Sequence, residues 1–194
     1  MDLGAINPER EALLAEINAA FAGVSRENGV SWSEREALDS YGSDEERAAA
    51  RASDTEGRWQ ELIDDPSWVF TGCADFAFLD AIGSRYYLAP AMVLSIRTGS
   101  DVGIRSALTR ENRFEVSFIE GPGVSFTNEA TCAPGYDQHF LDQWSLLNTR
   151  QQQCVARFVK LMIELARLSQ DKDQLWGWQA AYDSYWRNFA TQAD

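Results

Sequence analysis

The chain has 194 residues, of which 45% are hydrophobic, and its formal net charge is −13. This length predicts a single globular domain over residues 1–194 with a substantial core. The negative charge disfavours binding to nucleic acids or to anionic membranes, because both carry charge of the same sign. A basic protein is the partner that the charge favours, and the alternative is that the charge only keeps the protein soluble.

The negative charge is concentrated in the first third of the chain. Residues 1–65 carry six basic and sixteen acidic side chains, a net −10, whereas the remaining residues amount to −3. Helical spacing predicts that 1–65 is an acidic helical part of the domain. We predict a partner-binding acidic face made by Glu34, Glu36, Asp39, Asp44, Glu45 and Glu46. The alternative is a solvated pair of helices without a binding role.

Start signals divide this acidic part into helices. The Asn-Pro-Glu sequence at 7–9 supplies a cap, a first helical residue and an acid in the first turn. The pattern S-x-x-E occurs at 33–36 and again at 43–46, which predicts two capping boxes and two short helices. The N-terminus contains no apolar run typical of a signal peptide, and no run reaches the ~20 residues that cross a bilayer. We therefore expect a cytoplasmic protein without membrane contact.

The stretch 73–99 is the part around which we expect the fold to be organised. It contains no Lys or Glu, and aromatic residues lie on both sides of an Asp-Ala-Ile-Gly sequence at 80–83. Asp and Gly at these positions are typical of a hairpin turn, and flanking aromatic residues favour a half-buried strand. The pattern predicts a β-hairpin, followed by a buried helix that starts near Pro90 and ends at Gly99.

The same stretch resembles an uncharacterised family of bacterial domains of unknown function. The motif is F-L-D-x-x-G-x-R-Y-Y-L-x-x-x-M, and the matching residues are Phe78, Leu79, Asp80, Gly83, Arg85, Tyr86, Tyr87, Leu88 and Met92. Shorter matches are D-x-Y-G at 39–42, L-L-x-T-x-x-Q at 146–152 and Tyr-Trp at 185–186. The chain departs from the family pattern at Pro90, which falls one residue late. The resemblance implies a shared fold and no known reaction.

Residues 110–143 are predicted to be a variable excursion, longer than is typical of the family. Apolar and polar residues alternate over 114–118, an E-G-P-G turn signal follows at 120–123, and the alternation resumes over 124–126. This pattern predicts a second hairpin. An ordered excursion or a mobile loop are the alternatives, because 130–137 has little periodicity.

The C-terminal part, 148–190, is predicted to be a pair of helices. Asn148 or Thr149 caps the first helix, which has a wide apolar stripe between Cys154 and Leu168. The sequence Asp-Lys-Asp at 171–173 separates it from the last helix, whose aromatic face we expect to pack in the core.

Signals for catalysis and for cofactors are absent from the sequence. The three cysteines are far apart and His139 is the only histidine, so no zinc-binding spacing is present. No phosphate-binding loop or nucleophile elbow is found. We therefore expect no metal site, no cofactor and no catalytic residues, and binding rather than catalysis. Reduced, buried cysteines are expected.

The predicted fold is mainly α with a small β component: about six helices packed around one or two short β-hairpins. The favoured function is protein–protein binding, in its sharper form an immunity-type inhibitor of a basic toxin or effector. The alternative is a small-ligand-binding protein or enzyme with a site near Arg85, Tyr86 and Tyr87, residue types that are also frequent in interfaces. A third hypothesis is a homo-oligomer formed through the surplus of aromatic residues.

Overall fold

The computed structural model describes residues 3–54, 57–65, 68, 76–99, 101, 103–109 and 136–190. Within these ranges the chain forms nine α-helices and a final 3₁₀ helix, and it forms no strand. The helices are α1 Leu3–Ala20, α2 Trp32–Asp39, α3 Asp44–Ser53, α4 Gln60–Ile63, α5 Ala81–Thr98, α6 Ile104–Leu108, α7 Tyr136–Gln143, α8 Thr149–Ser169 and α9 Lys172–Ser184, and the 3₁₀ helix is Trp186–Phe189.

Helices α5 and α8 form the centre of the fold. α8 packs against α1, α9 and the 3₁₀ helix, whereas α5 packs against α1, α4, α6 and α7. Eight consecutive residues of α5, Tyr86 to Val93, are buried, so this helix is covered on every side. α8 buries a wide stripe between Gln151 and Ala166, which confirms the predicted apolar helix.

The predicted hairpin within 73–99 is wrong. Residues 76–78 form a turn and α5 starts at Ala81, so the predicted second strand is helical. Asp80 is the N-cap of this helix, because its Oδ1 accepts a hydrogen bond from the backbone N–H of Gly83 at 2.8 Å. An Asp followed three residues later by Gly therefore marks a helix start here. The described residues are helical, and the expected β component is absent from them.

The sequence misleads at this point because α5 has no polar face. A helix shows the 3.6-residue period only where one side meets water. Pro90 lies in the buried interior of α5, nine residues after the helix start, and not in the first turn as predicted. The predicted end at Gly99 is confirmed, since Gly99 has a φ of 69° and its N–H bonds to the carbonyl of Ser95 at 2.9 Å.

Other boundaries are partly as predicted. α1 starts at Leu3, so the residues at 7–9 lie inside the helix and do not begin it. The first capping box joins Ser31 to Glu34 and not residues 33 and 36, whereas the box at 43–46 is confirmed. Asn148 caps α8, as expected. The second predicted hairpin, 114–126, lies outside the described residues, as does the excursion 110–143 apart from α7.

Tryptophan indoles satisfy helix ends inside the core. A helix leaves its last carbonyl groups without an internal donor. Trp59 Nε1 donates to the carbonyl of Phe21, directly after α1, at 3.0 Å. The last turn of α6 receives two such bonds, from Trp144 to Ala107 at 3.1 Å and from Trp186 to Leu108 at 2.8 Å. These bonds therefore fix the end of the long helix α1 and the end of the short helix α6.

The N-terminus of α5 also holds the start of α2. Asp80 Oδ1 accepts a second hydrogen bond, from the N–H of Val30 at 3.1 Å. The Tyr87 hydroxyl accepts one from the N–H of Trp32, the first residue of α2, at 2.9 Å. The Trp32 and Tyr87 rings pack with centroids 5.1 Å apart. We term the contacts of Asp80, Gly83 and Tyr87 with residues 29–32 the α5–α2 clasp.

Two glycines let the backbones of the clasp touch. A Cβ atom on Gly83 would lie 2.5 Å from the carbonyl oxygen of Val30, and one on Gly29 would lie 2.7 Å from the amide nitrogen of Gly83. Both positions therefore require glycine because of close approach, not because of an unusual φ.

We expect Gly83→Ala to lower the free energy of unfolding by about 2 kcal/mol or more, because the added methyl group overlaps the Val30 carbonyl. Helix propensity alone predicts the opposite sign, since Ala is favoured over Gly in a helix by about 1 kcal/mol. Gly57→Ala is the control, as its Cβ would meet only Glu61, at 3.8 Å. Urea unfolding followed by circular dichroism measures both, and a Gly83→Ala variant as stable as the wild type would contradict the close contact.

Candidate functional site

The structure divides the predicted acidic face into one buried and five exposed residues. Glu34 is only 6% exposed. Its carboxylate accepts a hydrogen bond from the N–H of Ser31 at 3.2 Å and pairs with the Arg51 guanidinium at 2.7 Å. Glu34 therefore links α2 to α3 and offers little charge to a partner.

The exposed residues lie on α2 and on the first turn of α3 and are termed the acidic surface: Glu36, Asp39, Asp44, Glu45 and Glu46. Glu36 and Asp44 each pair with an arginine of their own helix, at 3.0 and 3.2 Å. Glu46 accepts a hydrogen bond from the backbone of its N-cap serine at 2.7 Å. Asp39 and Glu45 form no hydrogen bond or ion pair with a described residue, so their carboxylates are available to a partner.

Tyr41 lies between α2 and α3, within this acidic surface. It is 97% exposed, more than any other large hydrophobic residue in the described part of the chain. Its φ is 56°, in the left-handed region that residues with a Cβ rarely adopt. Its N–H bonds to the carbonyl of Leu38 at 3.1 Å, and the N–H of Gly42 bonds to that of Ala37 at 2.7 Å. These two bonds form a Schellman motif, in which glycine is the usual residue at the position of Tyr41.

Tyr41 is not among the site residues predicted from the sequence, although D-x-Y-G at 39–42 is one of the features shared with the family. The available signal was an aromatic residue at the end of a helix, where glycine is expected. Burial of the Tyr41 side chain cannot compensate for the strain in its backbone, because almost the whole side chain is in solvent. Because strained residues are frequent at functional sites, this exposed aromatic residue suggests a binding role.

We expect Tyr41→Gly to raise the free energy of unfolding by about 1 kcal/mol, because glycine adopts the left-handed conformation without steric cost. Tyr41→Ala keeps the strain and serves as the control, with a stability close to that of the wild type. Thermal and urea unfolding measure the three proteins. A Tyr41→Gly variant that is less stable than Tyr41→Ala would contradict the proposed backbone strain at this position.

The structure places Arg85, Tyr86 and Tyr87 together on α5 but gives only one of them exposed surface. Both tyrosines are fully buried, and Tyr87 belongs to the clasp. Arg85 is half-buried, and its Nη2 lies 3.4 Å from the carboxylate of Glu27. The hypothesis of a ligand site near these residues stays a prediction, and it rests on Arg85 alone for an accessible group.

Comparison with protein families identifies the chain. A model of a family of unknown function, DUF6714, matches residues 9–190, almost the whole sequence. The chain belongs to this family. No curated protein and no solved structure matches it significantly. The expectation of an uncharacterised domain is confirmed, and DUF6714 supplies no activity to transfer.

Cys154 is the free cysteine of this DUF6714 domain whose surroundings are described. It is buried in α8. Burial raises the pKa of its thiol to about 12, and the carboxylate of Glu16 acts in the same direction. Because the thiolate is the reactive form, Cys154 is unsuited to be a nucleophile. Its buried, reduced state agrees with the expectation from sequence, and Cys73 and Cys132 lie outside the described residues.

We expect alkylation of Cys154 by iodoacetamide at pH 8 to be on the order of a hundredfold or more slower in the folded protein than in urea, because burial raises the pKa of the thiol to about 12 and also keeps the reagent away from it. The measurement uses a Cys73→Ser/Cys132→Ser variant, whose only thiol is Cys154. Rapid labelling without unfolding would contradict the burial. The unfolded thiol loses its proton above pH 9.0, whereas the folded thiol keeps it up to about pH 12. The free energy of unfolding therefore falls as the pH rises between these two values.

The remaining candidate groups form no further centre in the described ranges. His139 is exposed on α7. Among the described residues, no three His, Cys, Asp or Glu side chains are arranged to hold a metal ion. No helix in the same part of the chain is both long and apolar enough to cross a bilayer.

Proposed function

We propose that this protein acts by binding a basic protein through Tyr41 and the acidic surface, and that it is an immunity-type inhibitor of a basic toxin or effector. The observation that supports this proposal is Tyr41, an aromatic side chain held in solvent at a strained backbone position. It lies among carboxylates of which two, Asp39 and Glu45, have no described partner.

Tyr41 has the properties of an interface anchor. Tyrosine is enriched among residues that contribute most to binding, because its ring buries a large apolar area while its hydroxyl forms a hydrogen bond. The Schellman bonds fix its backbone, so little conformational entropy is lost when a partner covers the ring. A rim of charged side chains around a central aromatic residue is the usual arrangement of a protein interface.

The acidic surface supplies the charge complement. Residues 1–65 hold −10 of the net charge of −13, and the exposed acids of α2 and α3 belong to this part. A one-sided field accelerates encounter with a partner of opposite charge, and an inhibitor of a toxic enzyme requires fast capture. Salt weakens such steering, because the Debye length is only about 8 Å at physiological ionic strength.

We expect Asp39→Lys/Glu45→Lys to slow association with the partner about tenfold at low salt, because it reverses the charge of two exposed carboxylates that form no ion pair with a described residue. Tyr41→Gly is expected to accelerate dissociation by tenfold or more, since it removes the anchor. The partner is first captured with the tagged wild-type protein from a lysate of the source organism, washed at low and at high salt. Surface plasmon resonance with the purified partner then gives both rates.

Glu9→Lys/Glu11→Lys is the matched control, because it makes the same change in net charge at two exposed residues of α1. Its association rate should fall much less than that of Asp39→Lys/Glu45→Lys, because Glu9 and Glu11 lie in the acidic part of the chain but outside the proposed contact surface. If both double variants slowed association equally, net charge alone would explain the effect, and a specific role of the acidic surface would be contradicted. For the inhibitor hypothesis, co-expression of the captured protein should arrest growth, and the wild type should restore it better than Tyr41→Gly.

A further inference from the structure

A concave surface lies between α6 and α9, on elements other than those that form the acidic surface. It is a groove of about 710 Å³, within the range of small-ligand sites. Trp176 lies at its edge and is 59% exposed. The other six tryptophans of the chain are at most 7% exposed, so the position of Trp176 is unlike theirs.

The walls of the groove are fixed by buried contacts. Trp178, on the opposite face of α9, packs edge-on against Phe158 of α8, with centroids 5.5 Å apart. α6 is held by the two indole bonds to its last turn. Between the helices, Arg105 crosses α9 at Gly177, where a Cβ atom would lie 2.7 Å from Arg105 Cδ. The groove is therefore preformed.

The charges that line the groove favour a cation. Arg105 is occupied, since its Nε pairs with Asp101 at 3.1 Å and its Nη1 donates to the carbonyl of Asp173 at 3.1 Å. The carboxylates of Asp173 and Asp183 form no ion pair with a described residue, and Asp183 receives one hydrogen bond, from Gln179 at 3.1 Å. The face of an indole also attracts cations.

Helical geometry sets the shape of the ligand. Asp173, Trp176, Ala180 and Asp183 follow at spacings of three, four and three residues and so share one side of α9. The two carboxylates are ten residues apart, about 15 Å along the helix at 1.5 Å per residue. A single ammonium group cannot reach both, whereas an extended chain with several cationic groups can. The small Ala180 leaves room for that chain.

We propose that this groove binds an elongated organic polycation, with one cationic group over Trp176 near Asp173 and another at Asp183. The chemistry is that of a polyamine or of a lysine-rich peptide segment. The site is independent of the proposed partner-binding surface, because it uses none of the same residues.

The test uses spermine and a tetralysine peptide as probes, with butylamine as a monocation of the same chemistry. Isothermal titration calorimetry on the full chain should show one site for a polycation and much weaker binding of butylamine. Acrylamide quenching of tryptophan fluorescence reports Trp176, the exposed indole, and a bound polycation should reduce quenching. The part of the quenching that is lost in Trp176→Phe is the signal of Trp176. Tighter binding of spermine indicates a free polyamine as ligand, and tighter binding of tetralysine indicates a protein segment; either result supports the proposal.

Asp183→Asn should weaken polycation binding about fivefold to tenfold, because one carboxylate contact is lost. The matched control is Asp142→Asn on α7, where the carboxylate accepts a bond from Gln138 four residues earlier at 2.7 Å, as Asp183 does from Gln179. Both variants change the net charge equally. Equal weakening by the two variants, or quenching of Trp176 that polycations leave unchanged, would overturn the proposal.

Discussion

Burial of the middle of α5 on every side is the constraint on which the rest of the structure depends. Those terminal N–H and C=O groups of the helix that are buried cannot bond to water, so they need partners from other elements. At the N-terminus, Asp80 caps the helix and at the same time binds Val30. At the C-terminus, Arg10 of α1 donates to the carbonyl of Ile96. Satisfying α5 therefore fixes α1 and the start of α2.

The same requirement accounts for three of the seven tryptophans. A chain divided into many short helices has many helix ends, and several of them lie inside the core. An indole fills a large volume there while its single N–H satisfies one carbonyl, as Trp59, Trp144 and Trp186 do. Gln151 has a similar role, since its amide donates to the carbonyl of Ala20 at 3.1 Å. Many of the other aromatic residues, whose surplus suggested a homo-oligomer, are buried in the core.

Patterns in the sequence predicted helices well where water defines a face and poorly where it does not. The apolar stripe of α8 and its Asn148 cap could be predicted because polar residues interrupt the stripe at helical spacing. The start of α5 could not, because a helix buried all round has the composition of buried strands. Asp80 and Gly83 are compatible with both a hairpin turn and a helix cap, and only the tertiary contact with Val30 distinguishes them.

The candidate sites show the same limit. The sequence places Glu34 and Glu45 in one acidic group. In the structure, Glu34 is buried and pairs with Arg51, whereas Glu45 is exposed. Tyr41 and Trp176 are ordinary aromatic residues in the sequence, and only the structure shows that they face solvent.

Folding accounts for most of F-L-D-x-x-G-x-R-Y-Y-L, the most recognisable motif of the chain. Asp80, Gly83 and Tyr87 form the clasp, and Tyr86 and Leu88 lie in the core. Replacing such residues costs stability, so the motif identifies the fold without indicating an activity. Features that folding does not require are more informative about function. An exposed tyrosine at a strained position and an exposed tryptophan beside two carboxylates add little to stability, and it is from these residues that binding functions are inferred.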